Sequence, residues 1–342
     1  MKVLLRALIA ALLLLQGTIA QASGHSYSKG SAQSPPSAQS AELAEADRLN
    51  QSMVQLHKEG RTDEALSLAA RVLEIRERAL GQDHKLVAVA LFNLGELNFA
   101  KRQYKTAEPF YRRALNILEK TPGMDDALLG KVLSALGLLE YIDRDYGKSE
   151  DFYQRVLEVN EKAFGAESLE AARALLSLAE LHRLLNRHMK AEKLFLRLLS
   201  IEKKFLQPDD EELIQAQERY TCLLYESNKL KEALAYKKIL AEERKRPATL
   251  ISDQILNGVA LSLPRPDYPL DARRVRAYGV VIVKVTIDEA GKVIEAQATC
   301  GNPYLRKASE AAAAKARFSP TIKDGQAVKV TGVITYNFMG QR

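Results

Sequence analysis

Tryptophan is absent from this 342-residue chain, cysteine occurs twice and histidine five times. These scarcities narrow the chemistry. Of His25, His57, His84, His182 and His188, none stands at a metal-ligand spacing from a cysteine or from a second histidine; His182 and His188, six residues apart, fall off a common helical face. There is no glycine-rich phosphate loop, dinucleotide fingerprint or nucleophile elbow. The acidic pairs Asp125-Asp126 and Asp209-Asp210 precede helical runs, where capping of the helix N-terminus accounts for them. The expectation is a protein that is not an enzyme and takes neither metal nor cofactor.

Charge of one sign is also in short supply. From Ala41 to Thr249 there are 34 basic and 35 acidic residues, a near-neutral solvated surface. From Leu250 onward 13 basic residues face 8 acidic ones, which suits an acidic partner, a membrane-proximal position or an ordinary surface. No basic helix and no arginine-interleaved aromatic platform occurs, so nucleic acid is not an expected partner. Cys222 and Cys300 fall in different candidate domains; a bridge pinning the domains and two isolated buried thiols both remain open.

What is present begins with a three-part secretory signal over residues 1–22. MKVLLR carries two positive charges, an apolar run spans Ala7 to Leu15, and Ala20-Gln21-Ala22 is a small-x-small cleavage site. The alternative is an uncleaved inner-membrane anchor. As a helix, however, Ala7 to Ala20 would span about 21 Å, short of the ~30 Å hydrocarbon core, and no lipid-anchor cysteine follows. The expected location is the periplasm. Residues 23–40, rich in Ser, Gln and Pro with little apolar content, read as a flexible linker.

From residue 41 to 246 the chain repeats itself. LFNLGELNFAKRQYKTAEPFYRRALNILEK starts at Leu91, and related stretches start at Leu133 and Leu175, 42 residues apart each time. The frame extends both ways through Ala65, Ala107, Ser149, Ala191 and Ala233, so five units are visible. Each holds two helices with apolar residues at three- and four-residue steps, in the second unit about Lys85–Lys101 and Tyr104–Lys120. Small residues recur where such helices approach closely: Gly95, Gly137 and Ala179 on the first, Ala107, Ser149 and Ala191 on the second. Neither helix can hide its apolar face alone, so the units must stack into an α-helical solenoid. The pattern resembles tetratricopeptide repeats, which form a superhelix, and in particular the kinesin-light-chain-like variety; GQDHKLVA at Gly81 and GAESLEAA at Gly165 fit that variety. In it, first-helix asparagines hold a peptide backbone. Asn93 matches that position but its counterparts are Ala135 and Ser177, so an asparagine ladder is missing. Asn93, Asn98, Tyr141 and His182 are the candidate groove residues.

After a linker over 247–262, Leu263–Pro269 (LPRPDYP) cannot continue a helix. Val281, Val283, Val285 and Ile287 alternate with Lys284 and Thr286, the period of a half-buried strand. Asp288–Gly291 reads as a turn and Lys292–Thr299 as the returning strand. An alanine-rich helix is expected over Pro303–Arg317 with Leu305, Ala308 and Ala312 inward, then a third strand over Val328–Phe338. Strand, strand, helix, strand makes a small α+β domain over 263–342.

That order, with Tyr268-Pro269 and Ala272, the Asp288–Gly291 turn, and Phe318 with Pro320, resembles the C-terminal domain of TonB, which touches outer-membrane receptors in Gram-negative bacteria. A tryptophan frequent in that family is replaced by Ala316. The resemblance implies protein partners, either outer-membrane receptor segments or other periplasmic proteins. A partner strand would add beside the third strand, making Val328, Val330, Ile334, Tyr336 and Phe338, with Tyr268 and Pro269, the candidate partner-binding residues. Self-pairing of that edge would instead give a homodimer. The family's membrane His and Ser and its proline-rich spacer have no counterpart here, so binding is implied more strongly than force transduction. The alternative is a periplasmic assembly scaffold acting through the repeats, with the terminal domain serving self-association or localisation.

Overall fold

The computed structural model describes residues 38–120, 125–243, 259–274, 277–323 and 325–338. The expected signal segment and most of both expected linkers lie outside the described residues. Two compact units divide the chain between Leu178 and Ala179.

Six helices and the start of a seventh form the N-terminal unit. They are α1 (Ala38–Lys58), α2 (Thr62–Leu80), α3 (Lys85–Ala100), α4 (Tyr104–Lys120), α5 (Asp126–Ile142), α6 (Tyr146–Phe164) and α7 (Leu169–Leu184). The first and second helices of a repeat differ in kind. In α3 nearly every residue from Val87 to Phe99 is buried, because helices press on it from several sides; α4 buries one stripe, Ala107, Tyr111, Ala114, Leu115, Ile117 and Leu118. The recurring small residues are the points of closest approach. A side chain at Gly95 would run into the Tyr111 ring, and Ser149 donates its hydroxyl to the Gly137 carbonyl at 2.8 Å.

The turn between paired helices also repeats every 42 residues. Gly60, Arg102, Arg144, Asn186 and Asn228 each adopt positive φ, between 57° and 78°. Glycine and asparagine tolerate this conformation, whereas arginine does so at a cost of about 1 kcal/mol. Asp125, expected as a cap, accepts the Leu128 amide at 2.9 Å.

The C-terminal unit continues with the rest of α7, α8 (His188–Phe205), α9 (Glu211–Glu226) and α10 (Leu230–Glu243). Its small domain has β1 (Ala260–Ser262), α11 (Leu270–Arg274), β2 (Gly279–Ile287), β3 (Val293–Cys300), α12 (Pro303–Ala313), β4 (Arg317–Phe318), β5 (Ile322–Lys323), β6 (Gln326–Ala327) and β7 (Val330–Phe338). The main sheet runs β3-β2-β7, antiparallel throughout. Val281, Val283, Val285 and Ile287 join Leu305, Ala312, Ala313, Ala316, Phe318, Ile334, Tyr336 and Phe338 in one core. Ala316, where the family often has tryptophan, is fully buried there.

Five local expectations are revised. The helix ends at Ala313, not Arg317, and its inward stripe is Leu305, Ser309, Ala312 and Ala313, with Ala308 only half-buried. Ser309 can sit inward because its hydroxyl donates to the Leu305 carbonyl at 3.0 Å. The last strand starts at Val330, because the Val328 amide bonds to the Thr321 carbonyl instead. Ala260–Ser262, assigned to a linker, pair with β4, while Ala38–Ser40 already belong to α1.

Candidate functional site

An antiparallel three-stranded sheet has two outer edges, and an unpaired edge is a template for another strand. Here the two edges differ. Along β3 the Ala298 amide donates to Glu310 Oε1 at 2.9 Å, and Cys300 is bonded to Cys222 of α9. Lys292, just before the strand, bridges to Arg317. Along β7 nine residues pair with β2, from Gly279 opposite Phe338 to Ile287 opposite Val330. Among the described residues nothing closes the other side of β7.

The side chains named from the sequence divide by strand alternation. Ile334, Tyr336 and Phe338 point into the core, Val330 is half-buried, and Val328 lies outside the strand. Towards a neighbouring strand these residues can offer main-chain groups, while the side chains beside an added strand on the outer face are Thr331, Val333, Thr335 and Asn337. Tyr336 makes no hydroxyl hydrogen bond among the described residues, and burial pushes its pKa up to about 12. Tyr268 packs edge-on against Phe338 at 5.8 Å and donates its hydroxyl to the Ala277 carbonyl, while the Pro269 carbonyl accepts the Arg273 amide. Tyr268-Pro269 therefore forms the corner that holds the end of β7.

In the N-terminal unit, Asn93 is 1 % exposed and donates to Asn50 Oδ1 at 3.1 Å, tying α3 to α1. Asn98 is buried and donates to the Leu94 carbonyl at 2.7 Å. Tyr141 is half-buried with its ring 5.5 Å from that of Tyr146. In the C-terminal unit His182 is buried. The four candidate groove residues are thus mostly turned inward.

Sequence reasoning missed an opening of about 290 Å³ between α5, α6 and α7, lined among others by Gly130, Lys131, Ser134, Asn160, Phe164 and Arg173. Lys131 and Arg173 stand one period apart, the signal from which it could have been found. Deeper in this unit the Glu96 carboxylate accepts from the Tyr111 hydroxyl at 2.6 Å, and burial pushes its pKa up to about 7. Among the described residues no group of three His, Cys, Asp or Glu side chains could hold a metal ion, and no helix is long and apolar enough to cross a membrane.

Residues 44–120 and 128–204 match the family described as tetratricopeptide repeat. Residues 264–339 match the Gram-negative bacterial TonB protein C-terminal family. No curated protein matches the chain. Among solved structures, a Podosopora anserina kinesin-light-chain-like protein with nearly identical TPR-like repeats superposes with a TM-score of 0.52 at 14% identity, covering 61% of this chain and 97% of its own. Aspartyl phosphate phosphatase F from Bacillus subtilis reaches a TM-score of 0.50 at 13% identity, covering 61% of this chain and 53% of its own. Such identities show the fold alone: a tetratricopeptide solenoid of ten helices among the described residues, followed by a small domain of TonB C-terminal type. Both are domain types that work by binding other proteins, and the TonB match points to the Gram-negative cell envelope.

Proposed function

We propose that this chain of tetratricopeptide repeats and TonB-type C-terminal domain is a periplasmic adaptor, delivered by a cleaved signal, that captures an extended segment of another protein as an added strand. The captured segment lies along β7, and the segments of outer-membrane receptors that face the periplasm are the partner class the C-terminal match suggests. The observation that carries this reading is the asymmetry of the sheet, with β3 capped by Glu310 and the Cys222 bond while, among the described residues, β7 is left open over nine residues. Main-chain hydrogen bonds along β7 supply affinity, and alternate side chains of the added strand meet Thr331, Val333, Thr335 and Asn337.

The test is amide hydrogen exchange of the full-length chain with and without a synthetic receptor-segment peptide. Alternate amides of Val330–Phe338 gain protection if the reading is right. Protection confined to α5, α6 and α7 would sink it in favour of a scaffold acting through its repeats, a second reading supported by the opening beside Lys131 and Arg173. A concentration-dependent doubling of mass, with β7 protected in the absence of peptide, would assign the edge to a second copy instead.

A further inference from the structure

The 42-residue pattern breaks at specific positions near its end. Where the second and third repeats carry Phe99 and Tyr141, the fourth carries Arg183. Where the second to fourth repeats carry Ala100, Ile142 and Leu184, the fifth carries Glu226, and Cys222 stands where they have Glu96, Leu138 and Glu180. Within the C-terminal unit these departures meet at one seam, between α9 and the small domain. Arg183 donates to both oxygens of Glu226, at 2.6 and 2.8 Å, and forks to Glu180 at 2.8 and 3.2 Å. From the domain side, the Arg306 guanidinium lies 3.9 Å from Glu226, and Asn302 donates to Asn186 Oδ1 at 3.0 Å. A side chain at Gly279, where φ is +110°, would collide with the Glu226 carbonyl. Val280 and Ile282 are buried although they alternate with the core residues of β2, and α9 packs against that strand. Across the same seam Cys222 bonds to Cys300, with Cα atoms 5.0 Å apart.

Three features describe a joint that can open. The domain core, from Ala272 to Phe338, takes no residue from α9, so the domain keeps its own core when the seam parts. The ion contact that crosses the seam is the long one, Arg306 to Glu226 at 3.9 Å, whereas the short Arg183–Glu226 pair joins α7 to α9 and stays with the repeats. Both cysteines are half-buried, not enclosed, so a soluble thiol can approach the bond.

We propose that the Cys222–Cys300 bond is a reducible latch holding the small domain on the fifth repeat. One thiolate of an external dithiol attacks a sulfur, breaking the bond and forming a mixed disulfide; its second thiol displaces the remaining cysteine. The protein gains two thiols, the dithiol becomes a disulfide, and the domain leaves α9 while still joined by the main chain. Opening exposes Val280 and Ile282, which α9 covers in the closed form. Reduction removes the Cys222 bond at the end of β3 and leaves the pairing of β7 with β2 in place.

The experiment is small-angle scattering with circular dichroism on the full-length chain, before and after dithiothreitol, repeated on Cys222→Ser/Cys300→Ser. The expected result is a rise of about a tenth in radius of gyration with the helical signal unchanged, in both the reduced protein and the double variant. An unchanged scattering profile with the bond reduced would overturn the latch, since the seam would then hold without it. Loss of helical signal would overturn it too, making the bond part of the fold.

Discussion

Glu96 and Glu180 occupy the same position of the repeat, two periods apart, and are pushed in opposite directions. Burial raises Glu96, and neither the Tyr111 hydroxyl nor the charge on Lys131 offsets it. Burial acts on Glu180 as well, yet the charges of Arg183 and Arg219 outweigh it and hold that carboxylate below its ordinary range. The surroundings differ because the neighbours differ. At the position of Arg183 the second and third repeats have Phe99 and Tyr141, each packed on a tyrosine, Tyr104 or Tyr146. In those two repeats the position is filled with apolar surface. In the fourth repeat Arg183 fills it with charge paired to Glu180 and Glu226, which specifies one geometry where apolar contact would tolerate several.

The largest test of this contrast is Arg183→Ala. It strands Glu226 and Glu180 in a buried place without their partner and should cost about 3–5 kcal/mol in urea unfolding. Combining Arg183→Tyr with Glu226→Leu, the residues of earlier repeats, should cost much less than the single truncation. Equal losses would mean that the charge pairing is not what matters at that site.

Next is Gly95→Ala, expected to destabilise by about 2–3 kcal/mol because the added methyl group meets the Tyr111 ring. The same change at Gly137, where the nearest Tyr153 and Phe152 atoms are 3.2 Å away, should cost visibly less.

Glu96→Gln comes third. The folded carboxyl titrates near 7 against an ordinary 4.5, so between those values the folded state keeps a proton that the unfolded state has released. Stability therefore falls as pH rises through that window. Glu96→Gln should remove the fall and add about 1–2 kcal/mol at pH 8, read from unfolding curves at pH 4.5 and 8. Smallest is Arg102→Gly, which relieves the left-handed turn that Gly60 already satisfies and should add about 1 kcal/mol, seen as a higher midpoint of thermal unfolding.

Much of the fold was legible because periodic burial leaves a periodic trace. The 42-residue repeat located α3 at Lys85–Ala100 and α4 at Tyr104–Lys120, within a residue of the expected spans. The alternation from Val281 to Ile287 marked the core face of β2. Less of the candidate sites was legible. Asn93 looks like a groove residue in the sequence, but its amide is used by Asn50, 43 residues away. Val280 and Ile282 share by alternation the strand face of Lys284 and Thr286, yet they are covered by a helix.

The sequence by itself determined the repeat length, the helix pairs, the order of strands in the small domain and the poverty of catalytic groups, since each follows from local spacing and residue type. Tertiary structure decided the rest. It joined Cys222 to Cys300, which the sequence left open, by bringing sulfurs 78 residues apart into bonding range. It capped β3 and, among the described residues, left β7 open, because only the folded sheet has edges. It also set Glu96 against Glu180, because a carboxylate's charge state depends on which cations folding brings beside it, and those lie beyond any local pattern.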